Sequence, residues 1–97
     1  MQFLTISRRR TEQFSDEQFR ALVDAEVQQA CTLYGEGFLR QIWHRADVAG
    51  ACLLVEAASE AEVREKLRTL PMVEAGMLDF TVVPLKPYAG FAASKIA

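Results

Sequence analysis

The chain predicts an α+β domain whose elements run strand, helix, strand, strand, helix, strand. Three observations carry that prediction. Two stretches have helical periodicity and full start signals, one beginning at Ser15 and one at Ser59. Four short β-rich runs flank them, at Met1–Arg8, Phe38–Arg45, Ala51–Glu56 and Leu78–Leu85. The middle two are joined only by Ala46–Gly50, which reads as an antiparallel hairpin. This βαββαβ order suits a four-stranded antiparallel sheet with two helices on one face, the ferredoxin-like arrangement.

The first strand carries Phe3, Leu4, Thr5 and Ile6, and Arg8-Arg9-Arg10 then leads through a polar loop into the helix. The triple arginine reads either as a solvated turn or as the source of one arginine that points into a pocket and holds a carboxylate bidentately. The first helix spans Ser15 to Tyr34. Ser15 is its N-cap, Gln18 completes a capping box, and Phe14 with Phe19 forms a hydrophobic staple. Asp16 and Glu17 place negative charge on the first turn, where the helix dipole favours it. Phe19, Leu22, Val23, Val27, Ala30, Leu33 and Tyr34 form the expected buried stripe. At about 100° per residue, Glu26 falls about 20° from Phe19, inside that stripe, whereas Asp24 falls about 140° away and is solvated. A carboxylate facing a core must be paired, protonated or functional.

Gly35 is the expected left-handed residue ending this helix, and Gly37 the start of the second strand. In that strand Phe38, Arg40, Ile42 and His44 are expected on one face, with Leu39, Gln41, Trp43 and Arg45 on the other. Ala51–Glu56 is nearly continuously apolar, as a central strand should be. Ser59 caps the second helix, with Glu62 completing a capping box, and Val63, Leu67 and Leu70 make its buried stripe. Pro71 ends that helix, and Met72–Gly76 reads as a loop. In the last strand, Pro84 points to an edge position or an exit from the sheet. Residues 1–91 form one domain with a C-terminal arm, and 92–97 are expected to be a flexible tail. Tyr88 and Phe91 are large apolar groups in that arm, which contact with a partner subunit would explain.

Composition narrows the function classes. The 97 residues are 51% hydrophobic and 25% charged, with a net charge of −2, so nothing marks a nucleic-acid or anionic-membrane surface. No apolar run approaches the roughly 18 residues of a membrane span, and no signal-peptide pattern opens the chain, so a cytoplasmic location is expected. Cys31 and Cys52 are expected to be free and buried. With one histidine and no metal-ligand spacing, no metal ligand is assigned, and no cofactor-binding residue either. The strands carry apolar residues on both faces, so the open face of the sheet calls for a cover. A second copy, sheet against sheet, gives a dimeric α+β barrel.

Glu36-Gly37, Arg40, Trp43, the hairpin that follows, the capped second helix with Leu70-Pro71, and the final strand with Leu85 and Pro87 resemble the muconolactone δ-isomerase family. The resemblance runs from about Glu26 to Pro87, and its motifs are E-G-x-x-R-x-x-W and L-P at the matching distance. It implies a ferredoxin-like fold and an obligate dimer, often within a higher oligomer. It also implies a cofactor-free proton transfer that moves a double bond in an unsaturated lactone carboxylate during aromatic degradation. Glu26, Glu36, Arg40 and Trp43 stand at positions that look shared. On the hairpin, Asp47-Val48 and then Ala51 stand where the family's isomerases align Gly-His and then Asn, and His44 stands in place of an arginine.

A proton shift needs a base over an acidic carbon and a cation or donors on the carboxylate and enolate oxygens. Glu26 is either the candidate base or a carboxylate that leans out or pairs with an arginine, and His44 is either the second proton carrier or a hydrogen-bonded interface residue. Arg40 is either the substrate-carboxylate anchor or the counter-ion of Glu26. Trp43 is a substrate platform or a core and dimer contact, and Tyr34 an oxyanion donor or a core-closing residue with a wet hydroxyl. Three readings follow: an isomerase with a pocket lined by Glu26, Arg40 and His44; a cofactor-free monooxygenase of the small dimeric-barrel type; or a non-catalytic binding or assembly module whose dimer interior is filled by Trp43 and Phe38. The expected partners are a small-molecule substrate and further copies of the chain, with no nucleic acid and no membrane.

Overall fold

In the computed structural model, which describes residues 1–93, strands β1 (Gln2–Arg9), β2 (Leu39–His44), β3 (Ala51–Glu56) and β4 (Leu78–Pro84) form one antiparallel sheet in the order β2-β3-β1-β4. Helices α1 (Asp16–Gly35) and α2 (Glu60–Leu67) cover one face of it, and two short helical turns, α3 (Pro71–Glu74) and α4 (Ala89–Ala93), flank β4. This is the ferredoxin-like α+β fold. The core lies between sheet and helices: Phe3, Leu39, Leu53, Val55 and Val82 from the strands meet Leu33 of α1 and Val63 and Leu67 of α2. Each such side chain contributes about 1.5–3 kcal/mol by leaving water, so this one face carries most of the fold's apolar stabilisation.

Local signals account for the helix starts. The Ser15 hydroxyl accepts the Gln18 N–H at 3.2 Å, and the Gln18 side chain accepts the Ser15 N–H at 2.8 Å, a complete capping box. Phe14 and Phe19 pack edge to face with ring centroids 6.1 Å apart. Ser59 caps α2 through the Glu62 N–H, but the Glu62 carboxylate reaches Ala58 N instead of the cap's own N–H. Pro84 lies on β4, an edge strand, as its missing donor requires.

Several expectations are corrected. Gly37, not Gly35, is the left-handed residue after α1, at φ +84°, because α1 runs one residue further and is capped by Glu36. Residues 71–74 form a helical turn rather than a loop, because a proline that stops one helix is also pre-set for the first position of another. Val23, Val27 and Tyr34 are exposed rather than core. Cys31 is exposed, though both cysteines are free. In β2 the register shifts between Leu39 and Gln41, leaving Arg40 as an extra residue. That bulge reverses the alternation: Leu39, Ile42 and His44 share the helix side, while Gln41 and Trp43 face the opposite side. Phe38 is buried in the protomer's own core instead of joining Trp43. The expected tail over 92–97 lies, beyond residue 93, outside the described residues.

Candidate active site

Between α1 and the sheet the core opens into a cavity of about 520 Å³. Its walls are largely aliphatic, and six polar side chains reach it: Thr5, Ser7, Arg9, Glu26, His44 and Arg45. Val23, Val27 and Ile42 line it as well, and their exposure marks the open side. The stripe of α1 is therefore apolar along a length that only partly touches other residues.

Glu26 is half-buried, and its Oε1 accepts the Met72 N–H at 2.9 Å. Leu70 is extended (ψ 127°) before Pro71, so the first turn of α3 presents its unpaired Met72 N–H toward α1. Burial pushes the Glu26 carboxyl above its ordinary value, while the Met72 N–H and the positive charge of Arg9 oppose that rise. Oε2 is the oxygen left for chemistry.

Arg9 ends β1 in phase with Phe3, Thr5 and Ser7, all of which face the helices. Its guanidinium carbon lies 5.1 Å from the centre of the Phe19 ring, and its own N–H donates to Ala49 O at 2.8 Å. His44 stands at the exposed end of β2, opposite Ala51. Thr5 is fully buried. The Ser7 hydroxyl accepts Ala51 N–H at 3.1 Å and donates to Ala51 O at 3.3 Å, so it is occupied where β1 and β3 part. Arg45 Nε and Nη2 donate to the two oxygens of Asp47 at 3.0 and 2.7 Å, and Nη1 donates to Ser7 O at 3.3 Å. Hydrogen bonds from Arg45, with a smaller contribution from its charge, hold the Asp47 carboxyl down at about 2. Gly50 lets the hairpin approach β1 this closely, because a Cβ there would stand 2.1 Å from Ser7 O.

The structure thus brings Glu26 and His44 to one cavity and leaves Arg40, Trp43 and Tyr34 off its walls. Arg40 is lifted out by the bulge and is exposed. Among the described residues, no hydrogen bond or ion pair joins it to Glu26. Trp43 faces the other side of the sheet opposite Cys52, and Tyr34 is exposed at the end of α1. Glu36 of the E-G motif pairs with Lys66 at 3.0 Å, outside the cavity. Arg9 and Arg45 line the cavity, and the Met72 N–H meets Glu26, where the sequence had suggested Arg40. Strict alternation from Phe3 through Ser7 points to Arg9; the Met72 N–H is signalled only by Pro71 as a helix start. Among the described residues, no group of three or more histidine, cysteine or carboxylate side chains is placed to hold a metal ion, and no helix is long and apolar enough to cross a membrane.

Comparison with known proteins places this architecture. The sequence model of the muconolactone delta-isomerase family matches residues 1–90. Among solved structures, the chain is similar to 5-chloro-2-hydroxyhydroquinone dehydrochlorinase from Burkholderia phenoliruptrix AC1100, determined in complex with 2,5-dihydroxybenzoquinone. The TM-score is 0.73 and the identity 21%, over 92% of this chain and 97% of that one, a likeness of fold. No curated protein sequence matches the chain.

Proposed function

The chain belongs to the muconolactone delta-isomerase family, and from that premise we propose that it is a cytoplasmic small-molecule enzyme of aromatic-compound degradation. In this reading it catalyses a cofactor-independent proton shift on an unsaturated lactone or related carboxylate. The observation that carries the proposal is Glu26: a carboxyl raised above its ordinary value, inside an apolar cavity, with an arginine at hand. Raised in this way, the carboxylate is a stronger base than an exposed one, which favours removal of a weakly acidic C–H proton.

The reaction balances without an external reagent. An allylic C–H bond breaks and its proton passes to Glu26 Oε2. The electron pair spreads through the conjugated system to the lactone carbonyl oxygen. A proton then returns to the far carbon as the double bond moves. Arg9 holds the substrate carboxylate, and His44 at the cavity edge donates to the enolate oxygen or relays the second proton. Thr5 and the aliphatic walls keep the inner part of the cavity apolar, which strengthens these interactions. Arg40, Trp43 and Tyr34 have no part in this step.

The same reading includes a homodimer, sheet against sheet. Leu4, Ile6, Leu54 and Trp43 support it, because all face away from the helices and leave an apolar surface for a second copy. The exposed Tyr88–Phe91 ring pair on the C-terminal arm, with centroids 4.8 Å apart, is a further apolar contact offered to that copy.

The test is solvent exchange in D2O, followed by NMR, on a panel of unsaturated lactone carboxylates. Deuterium should enter the allylic position catalytically, and Glu26→Gln should slow that entry by about 10²–10⁴-fold. Arg9→Gln should chiefly raise KM. Exchange that survives Glu26→Gln unchanged would remove Glu26 as the base and end this assignment.

A further inference from the structure

Among the described residues two arginines line the hairpin end of the cavity, and one of them is held by a carboxylate of its own. Arg9 and Arg45 both line it there: Arg9 N–H is bonded to Ala49 O, and Arg45 is bonded to Ser7 O two residues before Arg9. A guanidinium offers five N–H donors, and the Nε–Nη2 edge is one of those that grips a carboxylate with two parallel bonds. In Arg45 that edge is taken by Asp47, and Nη1 is engaged with the Ser7 carbonyl. The Asp47 carboxylate is itself fixed, since Oδ1 also accepts the Val48 N–H at 2.9 Å, and the loop is closed by Arg45 N–H on Gly50 O at 2.9 Å.

We propose that Asp47 determines the charge class of the ligand: by occupying Arg45 it leaves Arg9 as the one guanidinium, among the described residues that line the cavity, free to bind a carboxylate, and so selects monocarboxylates over dicarboxylates. This rests on the reading of the cavity as a carboxylate-binding site given above. A first carboxylate pairs with Arg9. A second, at the same end, meets a guanidinium already neutralised and the negative charge of Asp47 beside it, an arrangement that disfavours the wrong ligand by repulsion as much as by a missing contact. Asp47 is a positioning residue in this scheme and touches no reacting atom. Its side chain is 65% exposed, so replacing it leaves the apolar core intact.

The experiment is calorimetric titration of the full chain with two unsaturated acids of one carbon skeleton, a monocarboxylate and the matching dicarboxylate. The unaltered protein should bind the monoacid at least about tenfold more tightly. In D47N, which keeps the shape and an acceptor for Val48 but removes the charge, the diacid should gain about tenfold while the monoacid changes little. The double variant D47N/R45Q should return to the original preference, which assigns the gain to Arg45 and not to a loosened loop. An unchanged ratio in D47N, or a gain that survives R45Q, overturns the proposal. R9Q separates this failure from that of the underlying reading. Acids that bind equally well to R9Q, or not at all to the unaltered protein, overturn the carboxylate site itself. Acids lost in R9Q with an unmoved D47N ratio overturn only the assignment to Asp47.

Discussion

The Glu26 carboxyl is set by three competing influences: burial favours its neutral form, while the Met72 N–H and the Arg9 charge favour the ionised one. Burial prevails, so the folded protein holds this proton more tightly than the unfolded chain does. Stability from this group is therefore fully present below its ordinary value of 4.5 and declines as pH rises through the higher folded value. Glu26→Gln lacks that decline. Urea unfolding at acidic and at alkaline pH should show the variant gaining on the parent protein as pH rises; a constant difference would mean the carboxyl is not shifted. Gly50→Ala should be destabilised by about 1–3 kcal/mol or more, read by the same titration, because its Cβ meets the Ser7 carbonyl. The position of Glu26 was legible from helical periodicity alone. Its partner was not, because a backbone N–H contributed by a separate helical turn leaves no mark in side-chain spacing. Arg9 is one of three adjacent arginines from which the sequence offered one to a pocket; Arg40 was the named candidate from its place in the E-G-x-x-R-x-x-W motif and from an alternation that the bulge interrupts.

Among the elements, the helices were the most legible, since their starts rest on contacts within four residues. Ser15 and Ser59 each satisfy an otherwise unpaired N–H, and Ser59→Ala should cost about 1 kcal/mol in chemical denaturation while leaving ligand binding unchanged. Such a cost without altered binding is what separates a cap from a site residue. The α1 stripe was read correctly as apolar and incorrectly as buried at Val23 and Val27. Periodicity reports which residues share a face, and only the packing of neighbours decides whether that face is filled or left facing a cavity. The turn at Pro71 was missed for a related reason: a four-residue helix has no period to detect, and a proline marks an end and a beginning alike.

At the scale of the molecule, the order of elements sufficed for the sheet topology, because short connections and one hairpin leave few alternatives. The two faces of the sheet divide the work. One carries the core and the cavity, and the other presents Leu4, Ile6, Leu54 and Trp43. If that second face joins two copies, sedimentation of the parent protein should give a dimer or a larger assembly. Leu54→Lys should then give monomers whose circular dichroism is unchanged. Monomers from the parent protein at micromolar concentration would leave the face without its proposed cover.

The bulge at Arg40 gives the E-G-x-x-R-x-x-W spacing a mechanical meaning. Gly37 is the left-handed turn that releases the chain from α1, Arg40 is the inserted residue three positions later, and Trp43 is the first large side chain on the far face after the phase has changed. The motif is thus a ruler laid along the backbone, and two of its four named residues mark joints. Were Arg40 kept but paired in strict alternation, β2 would turn over like a card: Trp43 would enter the cavity, and Ile42 and His44 would leave it. One unpaired residue separates two different binding sites on the same scaffold.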